Sequence, residues 1–215
     1  MAGSALRKGY LVLYNAASAV SWAMILVRVA SVYLANGAGA VPLVVDDFAR
    51  VTQTFAVMEI FHALTGIVPA PLFTTLMQVA SRLMLVWGIS YPFPQLNTST
   101  WYSSMLTAWS TTEVIRYTYF ALKQFDFIPY FLHWLRYSAF LVLYPMGISS
   151  EVAMIIKGLV GPADKLAPWY PYALVAVLLS YIPGSVILYS HMLSQRRKQV
   201  GGGAKGAAKK AKKSQ

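Results

Sequence analysis

The amino-acid sequence predicts an all-α, polytopic membrane helix bundle with six transmembrane helices and both termini in the cytosol. Three observations predict it. Of 215 residues, 57% are hydrophobic and 12% charged; mean hydropathy is +0.53; and apolar runs of spanning length recur along the chain. A soluble domain carries roughly a quarter charged residues, so this chain lacks the polar surface that water requires.

A bilayer core of about 30 Å is crossed by about 20 apolar helical residues. Six segments fit, at 11–34, 52–70, 72–90, 101–122, 133–157 and 169–192. Turn chemistry separates them: Asn36-Gly37 through Asp46-Asp47, Pro69-Ala70-Pro71, Tyr91-Pro92 with Pro94, Asp126 to Pro129, and Gly158 to Pro168. Almost nothing parts the second and third segments, so they are expected to form a tight helical hairpin. The first segment is too long for a signal-peptide core and contains Arg28, so it reads as a retained span.

Orientation follows from Lys and Arg near the span ends. With the N-terminus in the cytosol, Arg7, Lys8, Lys123 and the eight basic residues from Arg196 to Lys213 lie inside, against Arg50, Lys157 and Lys165 outside. Residues 1–194 thus read as the membrane domain and 195–215 as a disordered basic cytosolic tail. Lys212-Lys213-Ser214-Gln215 matches the dilysine retrieval signal of endoplasmic-reticulum membrane proteins. Asn97-Thr98-Ser99 forms a glycosylation sequon on the expected outer side, close to the membrane.

The net charge of +11 sits largely in that tail, facing an anionic leaflet, and argues against nucleic acid. The absence of cysteine removes disulfides, thiolate metal sites and any cysteine nucleophile.

Charged groups inside spans are costly and mark functional or pairing sites. Here they are Arg28, Glu59, Arg82, Glu113, Arg116, Arg136 and Glu151, with His62. Three carboxylates against four guanidiniums suggest mutual pairing in a polar interior. Glu113, Arg116 and Tyr117 share one helical face, either as an ion pair that locks packing or as a polar wall for an anionic or carbonyl-bearing ligand. Tyr144 and Glu151 lie seven residues apart. Two turns bring them to nearly one face, about 10 Å apart along the axis. Pro145 and Gly147 are expected to kink the helix between them and let them converge. The pair is an acid/base candidate; from spacing alone, packing remains the alternative.

Glu59-x-x-His62 occurs once, whereas di-iron bundles need it twice with further carboxylates. A phosphatase loop starting at His62 fails, because Ala63 stands where its cysteine belongs and Pro69 where its arginine belongs.

Trp109 with Glu113-Val114-Ile115-Arg116-Tyr117, then His133-Trp134-Leu135-Arg136-Tyr137, then Leu143 to Ile148 with Glu151, resembles the 3-hydroxyacyl-CoA dehydratase family, once labelled protein-tyrosine-phosphatase-like. Tyr14-Asn15, Trp22, Glu59 to Pro69, Ser81-Arg82, Trp87-Gly88 and Tyr181 to Ser185 support the likeness, which covers about residues 10–198. The resemblance implies a multi-pass endoplasmic-reticulum enzyme that dehydrates long or very-long-chain 3-hydroxyacyl-CoA to trans-2-enoyl-CoA, the third step of fatty-acid elongation. It implies Tyr144 and Glu151 as the catalytic pair, with Arg82, Glu113, Arg116, Tyr117 and Gly147 in support. Its expected partners are the 3-hydroxyacyl-CoA substrate, membrane lipid, and the other elongation enzymes: the ketoacyl-CoA synthase, the ketoacyl-CoA reductase and the enoyl-CoA reductase. No metal or organic cofactor is expected.

The elimination needs a base for a C2 proton and an acid for the departing C3 oxygen. Glu151 as base with Tyr144 as acid is one assignment; a tyrosinate base is the reverse. Arg116 or Arg82 could supply the field for either, or polarise the thioester. The competing classes are a scaffold for the elongation enzymes and a small transporter, though Pro145-Met146-Gly147 lacks the repeated counterpart a transporter shows.

Overall fold

A computed structural model of the chain describes residues 2–200, with side chains from residue 5 onward. Among the described residues the fold is helical throughout. The elements are α1 (Ala2–Asn36), α2 (Val41–Phe55), α3 (Val57–Leu64), α4 (Leu72–Leu83), α5 (Thr100–Lys123), α6 (Tyr130–Ser138), α7 (Phe140–Val160), α8 (Ala163–Leu166) and α9 (Tyr170–Gln199). A π-helical stretch, Met84–Ser90, prolongs α4.

Four helical stretches are long and apolar enough to cross a membrane: Ala5–Asn36, Leu72–Ser90, Phe140–Val160 and Tyr170–Gln199. Their outer faces match that solvent. Leu13, Val20, Val27 and Leu34 recur every seventh residue along α1 and are all exposed, as are Leu179, Ile182, Val186 and Ile187 on α9. So much exposed apolar surface would be unstable against water.

The opposite face of α1 carries Trp22, Ile25 and Val29, all buried. It packs on α5, which also meets α6 and α7 and so occupies the middle of the bundle. That position explains why α5 is too polar to stand among the four apolar stretches. Its Ser103, Ser110 and Glu113 are buried against protein, where lipid does not reach them. Small residues set its contact with α7. A Cβ on Gly147 would meet the Ala108 Cβ at 3.6 Å, and the Ser150 hydroxyl donates to Ser104 Oγ at 2.9 Å. Small side chains at such crossings let helix backbones approach closely.

Several expected boundaries move. The loop expected from Asn36 to Asp47 is helical from Val41. Asp46 and Asp47 read as loop residues, yet Arg50 lies one turn further on and pairs with both, at 3.3 and 3.1 Å. Paired this way, three charges sit on one helix. The second expected span, 52–70, is therefore α2 and α3 together, broken at Ala56, followed by a turn at Gly66 with φ of 69°. The hairpin between α3 and α4 is present.

The expected fifth span is interrupted at Ala139, between α6 and α7, and α7 is helical from Phe140 to Val160 with Pro145 inside it. α9 continues to Gln199, past the boundary placed at residue 194. The dilysine motif at Lys212-Lys213 lies outside the described residues.

One end of the bundle gathers the start of α1, the α3–α4 turn, the α5–α6 turn and the end of α9. Arg7 donates to the Ile67 carbonyl, Lys8 lies 5.4 Å from the Phe125 ring centre, and Arg196 donates to Ser138 Oγ at 3.1 Å. At the far end, Asp46 accepts from Tyr102 at 2.7 Å and from Asn97 at 3.3 Å. Asn97 is wholly buried there, with its amide nitrogen also bonded to the Ser90 carbonyl.

Pro92, four residues after Gly88, has no N–H to offer the Gly88 carbonyl, and the Tyr170 hydroxyl donates to that carbonyl. A Cβ on Gly88 would sit 2.8 Å from that hydroxyl oxygen. Gly88→Ala is therefore expected to lower stability by roughly 1–3 kcal/mol. The measurement is the thermal unfolding midpoint in detergent; an unchanged midpoint contradicts the packing described.

Candidate active site

Two polar clusters meet at α5. The first joins α3, α4 and α5. The Arg116 guanidinium lies between two carboxylates: Nη1 and Nη2 donate to Glu59 Oε2 and Oε1 at 2.8 and 2.6 Å, and Nε donates to Glu113 Oε2 at 2.6 Å. Arg82 donates to the other Glu113 oxygen, and the Tyr117 hydroxyl donates to Glu59. Two negative and two positive groups balance. Paired, hydrogen-bonded charges are the form in which ions persist away from water.

The second cluster lies between α5, α7 and α9. Glu151 has no guanidinium within salt-bridge distance among the described residues. Trp109 Nε1 donates to its Oε1 at 2.8 Å, and the Tyr181 hydroxyl donates to its Oε2 at 2.8 Å. Trp109 links the clusters, because the Arg82 guanidinium lies 5.1 Å from its ring centre, within range of a cation–π contact. One turn along α5, the i, i+4 spacing of Trp109 and Glu113 turns both inward, and both are buried.

Tyr144 stands on the same side of α7 as Glu151, since both reach α9. Its hydroxyl donates to the Ser185 carbonyl at 3.3 Å, and its ring stacks on Tyr189 at 5.7 Å. Tyr144 and Glu151 are not hydrogen-bonded to each other. Seven residues of helix part them, about two turns or roughly 10 Å along an ideal axis.

The residues singled out in the sequence thus divide. Arg82, Glu113, Arg116 and Tyr117 come together in the first cluster, Glu151 and Tyr144 line the α7–α9 seam, and Gly147 packs on α5. Arg28 and Arg136 do not join the pairing; each lies 5.6 Å from an aromatic ring, Phe48 and Phe120. Trp109 and Tyr181 are not among the site residues that the sequence points to, and Glu59 appears there as a charge in a span and in a single Glu-x-x-His motif. The partners of Glu59 and Glu151 on other helices are 30 to 58 positions away, so no local spacing signals them. A groove of about 320 Å³ on the outer face of α1, lined by Val20, Ala23, Met24, Val27 and Arg28, includes no site residue.

The first cluster is expected to dominate stability through Arg116. Arg116→Ala strips two largely buried carboxylates of their shared partner. Breaking a buried pair in this way costs about 3–5 kcal/mol, whereas Lys123→Ala, at an exposed helix end, should change stability by less than about 0.5 kcal/mol. Unfolding midpoints of the two variants, side by side, check this.

Comparison with known proteins now bears on the same residues. The family described as protein tyrosine phosphatase-like protein, PTPLA, matches residues 53–202, which contain both clusters. The very-long-chain (3R)-3-hydroxyacyl-CoA dehydratase PASTICCINO 2B of Oryza sativa subsp. japonica is 41% identical over 91% of this chain and 95% of its own. A probable very-long-chain (3R)-3-hydroxyacyl-CoA dehydratase of Schizosaccharomyces pombe is 41% identical over 88% and 91%. The very-long-chain (3R)-3-hydroxyacyl-CoA dehydratase 2 of Homo sapiens is 33% identical over 90% and 81%. No solved structure matches the chain. Since the family match spans most of its length and takes in every residue of the α5–α7–α9 seam, the chain belongs to the protein tyrosine phosphatase-like, PTPLA, family.

Proposed function

We propose that this protein is a hydro-lyase that dehydrates long or very-long-chain 3-hydroxyacyl-CoA to trans-2-enoyl-CoA; its relatives are named very-long-chain (3R)-3-hydroxyacyl-CoA dehydratases. The observation that carries the reading, beside those names, is the Glu151 carboxylate held by two neutral donors on the seam that also holds the Tyr144 phenol.

The hydrogen-bond directions favour one of the two acid/base assignments. An indole N–H can only donate, so Glu151 Oε1 is an acceptor. A carbonyl can only accept, so Tyr144 carries its proton toward Ser185. Glu151 is then the base for the C2 proton and Tyr144 the acid for the C3 hydroxyl. The C2–H and C3–O bonds break, the C2–C3 double bond forms, and water leaves. The proton gained by Glu151 and the one lost by Tyr144 are exchanged back through solvent before the next turnover. At 3.3 Å the Tyr144–Ser185 bond is long and easily traded for a substrate hydroxyl.

Of the two guanidiniums considered, Arg116 is committed to Glu59 and Glu113. Arg82 gives one nitrogen to Glu113 and lies over Trp109, which makes it the nearer source of a field for the developing charge. A scaffold would leave the Glu151 cluster without a task, and Pro145-Met146-Gly147 lacks the repeated counterpart a transporter shows.

The setting we propose is the endoplasmic-reticulum membrane, crossed six times with both termini cytosolic. α5 and the α2–α3 pair supply the fifth and sixth crossings, and the other elongation enzymes stand nearby. Support comes from the 24-residue length of α5 and from Arg7, Lys8, Lys123 and Arg196 to Lys198 gathering toward one end. If that end is cytosolic, the CoA headgroup stays there and the acyl chain lies among the helices.

Two experiments test this. With 3-hydroxyacyl-CoAs of several chain lengths, Glu151→Gln and Tyr144→Phe are each expected to lose about 10²–10⁴-fold in kcat; wild-type turnover in both would overturn the assignment. The chain contains no cysteine, so single introduced thiols report topology directly. Phe127→Cys should react with an impermeant maleimide from the cytosolic side and Gln95→Cys only from the lumen. Labelling of both from the same side would refute the orientation.

A further inference from the structure

One face of α9 is occupied at every turn by contacts to the seam. Tyr181, Ser185 and Tyr189 follow at i, i+4 and i+8: the first donates to Glu151, the second accepts from Tyr144, the third stacks on the Tyr144 ring. α7 and α9 run antiparallel along this stripe, with Glu151 opposite Tyr181 and Tyr144 opposite Ser185. A phenol among helices in a membrane needs a partner for its hydroxyl. The Tyr181 hydroxyl takes as its partner the one carboxylate of the polar interior that lacks a guanidinium.

We infer that Tyr181 is a positioning residue for the reaction: with the Trp109 indole, its hydroxyl clamps the Glu151 carboxylate so that its remaining lone pairs face C2 of the bound acyl thioester. The inference rests on the reading of Glu151 as the base. The geometry supplies the argument. One donor holds each carboxylate oxygen, at 2.8 Å on both sides, which fixes rotation about the terminal carboxylate bond, otherwise a broad torsion. Each oxygen keeps a second lone pair.

Both donors are neutral, so they orient the carboxylate without cancelling its charge. Glu59 and Glu113 differ on that point, because guanidiniums occupy their oxygens. Trp109 is itself immobilised, being buried and overlaid by Arg82. Tyr181 is the complementary half of the clamp and comes from the opposite helix. Its own proton stays on its oxygen: Tyr181 makes and breaks no covalent bond in the reaction. A proton acceptor held within a narrow angular range gains rate through alignment. Misplacement of a reacting group by about 1 Å can lower the rate by about 100-fold.

The test uses the full-length chain in detergent with a 3-hydroxyacyl-CoA and its C2-deuterated form. Tyr181→Phe removes one oxygen and keeps the ring. The expected result is a kcat lower by about 10- to 100-fold, KM within about twofold, and a larger deuterium isotope effect on kcat, because misalignment slows the C2 step in particular. The unfolding midpoint stays with wild type.

Wild-type kcat and isotope effect in Tyr181→Phe would overturn the proposal. So would a loss of activity matched by a loss of folded protein, since the hydroxyl would then serve the fold. Glu151→Gln, run in parallel, separates this from the parent reading. Full turnover in Glu151→Gln defeats the base assignment itself, while an inactive Glu151→Gln beside a normal Tyr181→Phe defeats the clamp alone.

Discussion

Arg116 of α5 holds Glu59 and Glu113 in one grip, and the architecture around the site is arranged to keep that contact enclosed and neutral. Ionised groups without partners are driven out of hydrocarbon, so a helix that carries Glu113 and Arg116 must be surrounded by other helices. α1 and α7 surround it. Arg82 from α4 completes the balance with Glu113, and Tyr117 saturates Glu59. α3, α4 and α5 are thereby tied at one level, and the α3–α4 hairpin is short enough to present Glu59 and Arg82 to the same helix.

Glu151 stands just outside this balance. It receives neutral donors from Trp109 and Tyr181, while the positive charge closest to it, that of Arg82, is held one aromatic ring away. A carboxylate bound to a guanidinium is a poor proton acceptor; one held by an indole and a phenol keeps its charge available. In the proposed mechanism the two clusters differ in role through this single distinction, although both are built from glutamates. The close α5–α7 crossing at Ala108 and Gly147 then matters chemically, because it brings Trp109 to Glu151.

The helices and most of their limits were legible in hydropathy and turn residues, since lipid demands long apolar runs. The start of α2 was not, because Asp46, Asp47 and Arg50 resemble a loop until their i, i+3 and i, i+4 pairing is counted. Nor was the interruption at Ala139, which falls inside one continuous apolar run. The π-helical stretch left no trace in the pattern. Within the site, the Glu113–Arg116 contact was legible because it lies within one turn. The bonds from Arg116 and Tyr117 to Glu59, and from Tyr181 to Glu151, join different helices. Period and spacing carry no information about which face meets which, so tertiary packing alone reveals those partners.

The central claim, that Glu151 and Tyr144 act on adjacent carbons of one acyl thioester, is tested most directly by an experimental structure of Glu151→Gln with a 3-hydroxyacyl-CoA bound. The account predicts C2 within about 3–3.5 Å of the residue-151 side chain, with the C3 hydroxyl on the Tyr144 oxygen in place of the Ser185 carbonyl. A thioester lodged instead against Arg116 and Glu59, or an acyl chain confined to the outer groove of α1, would contradict it.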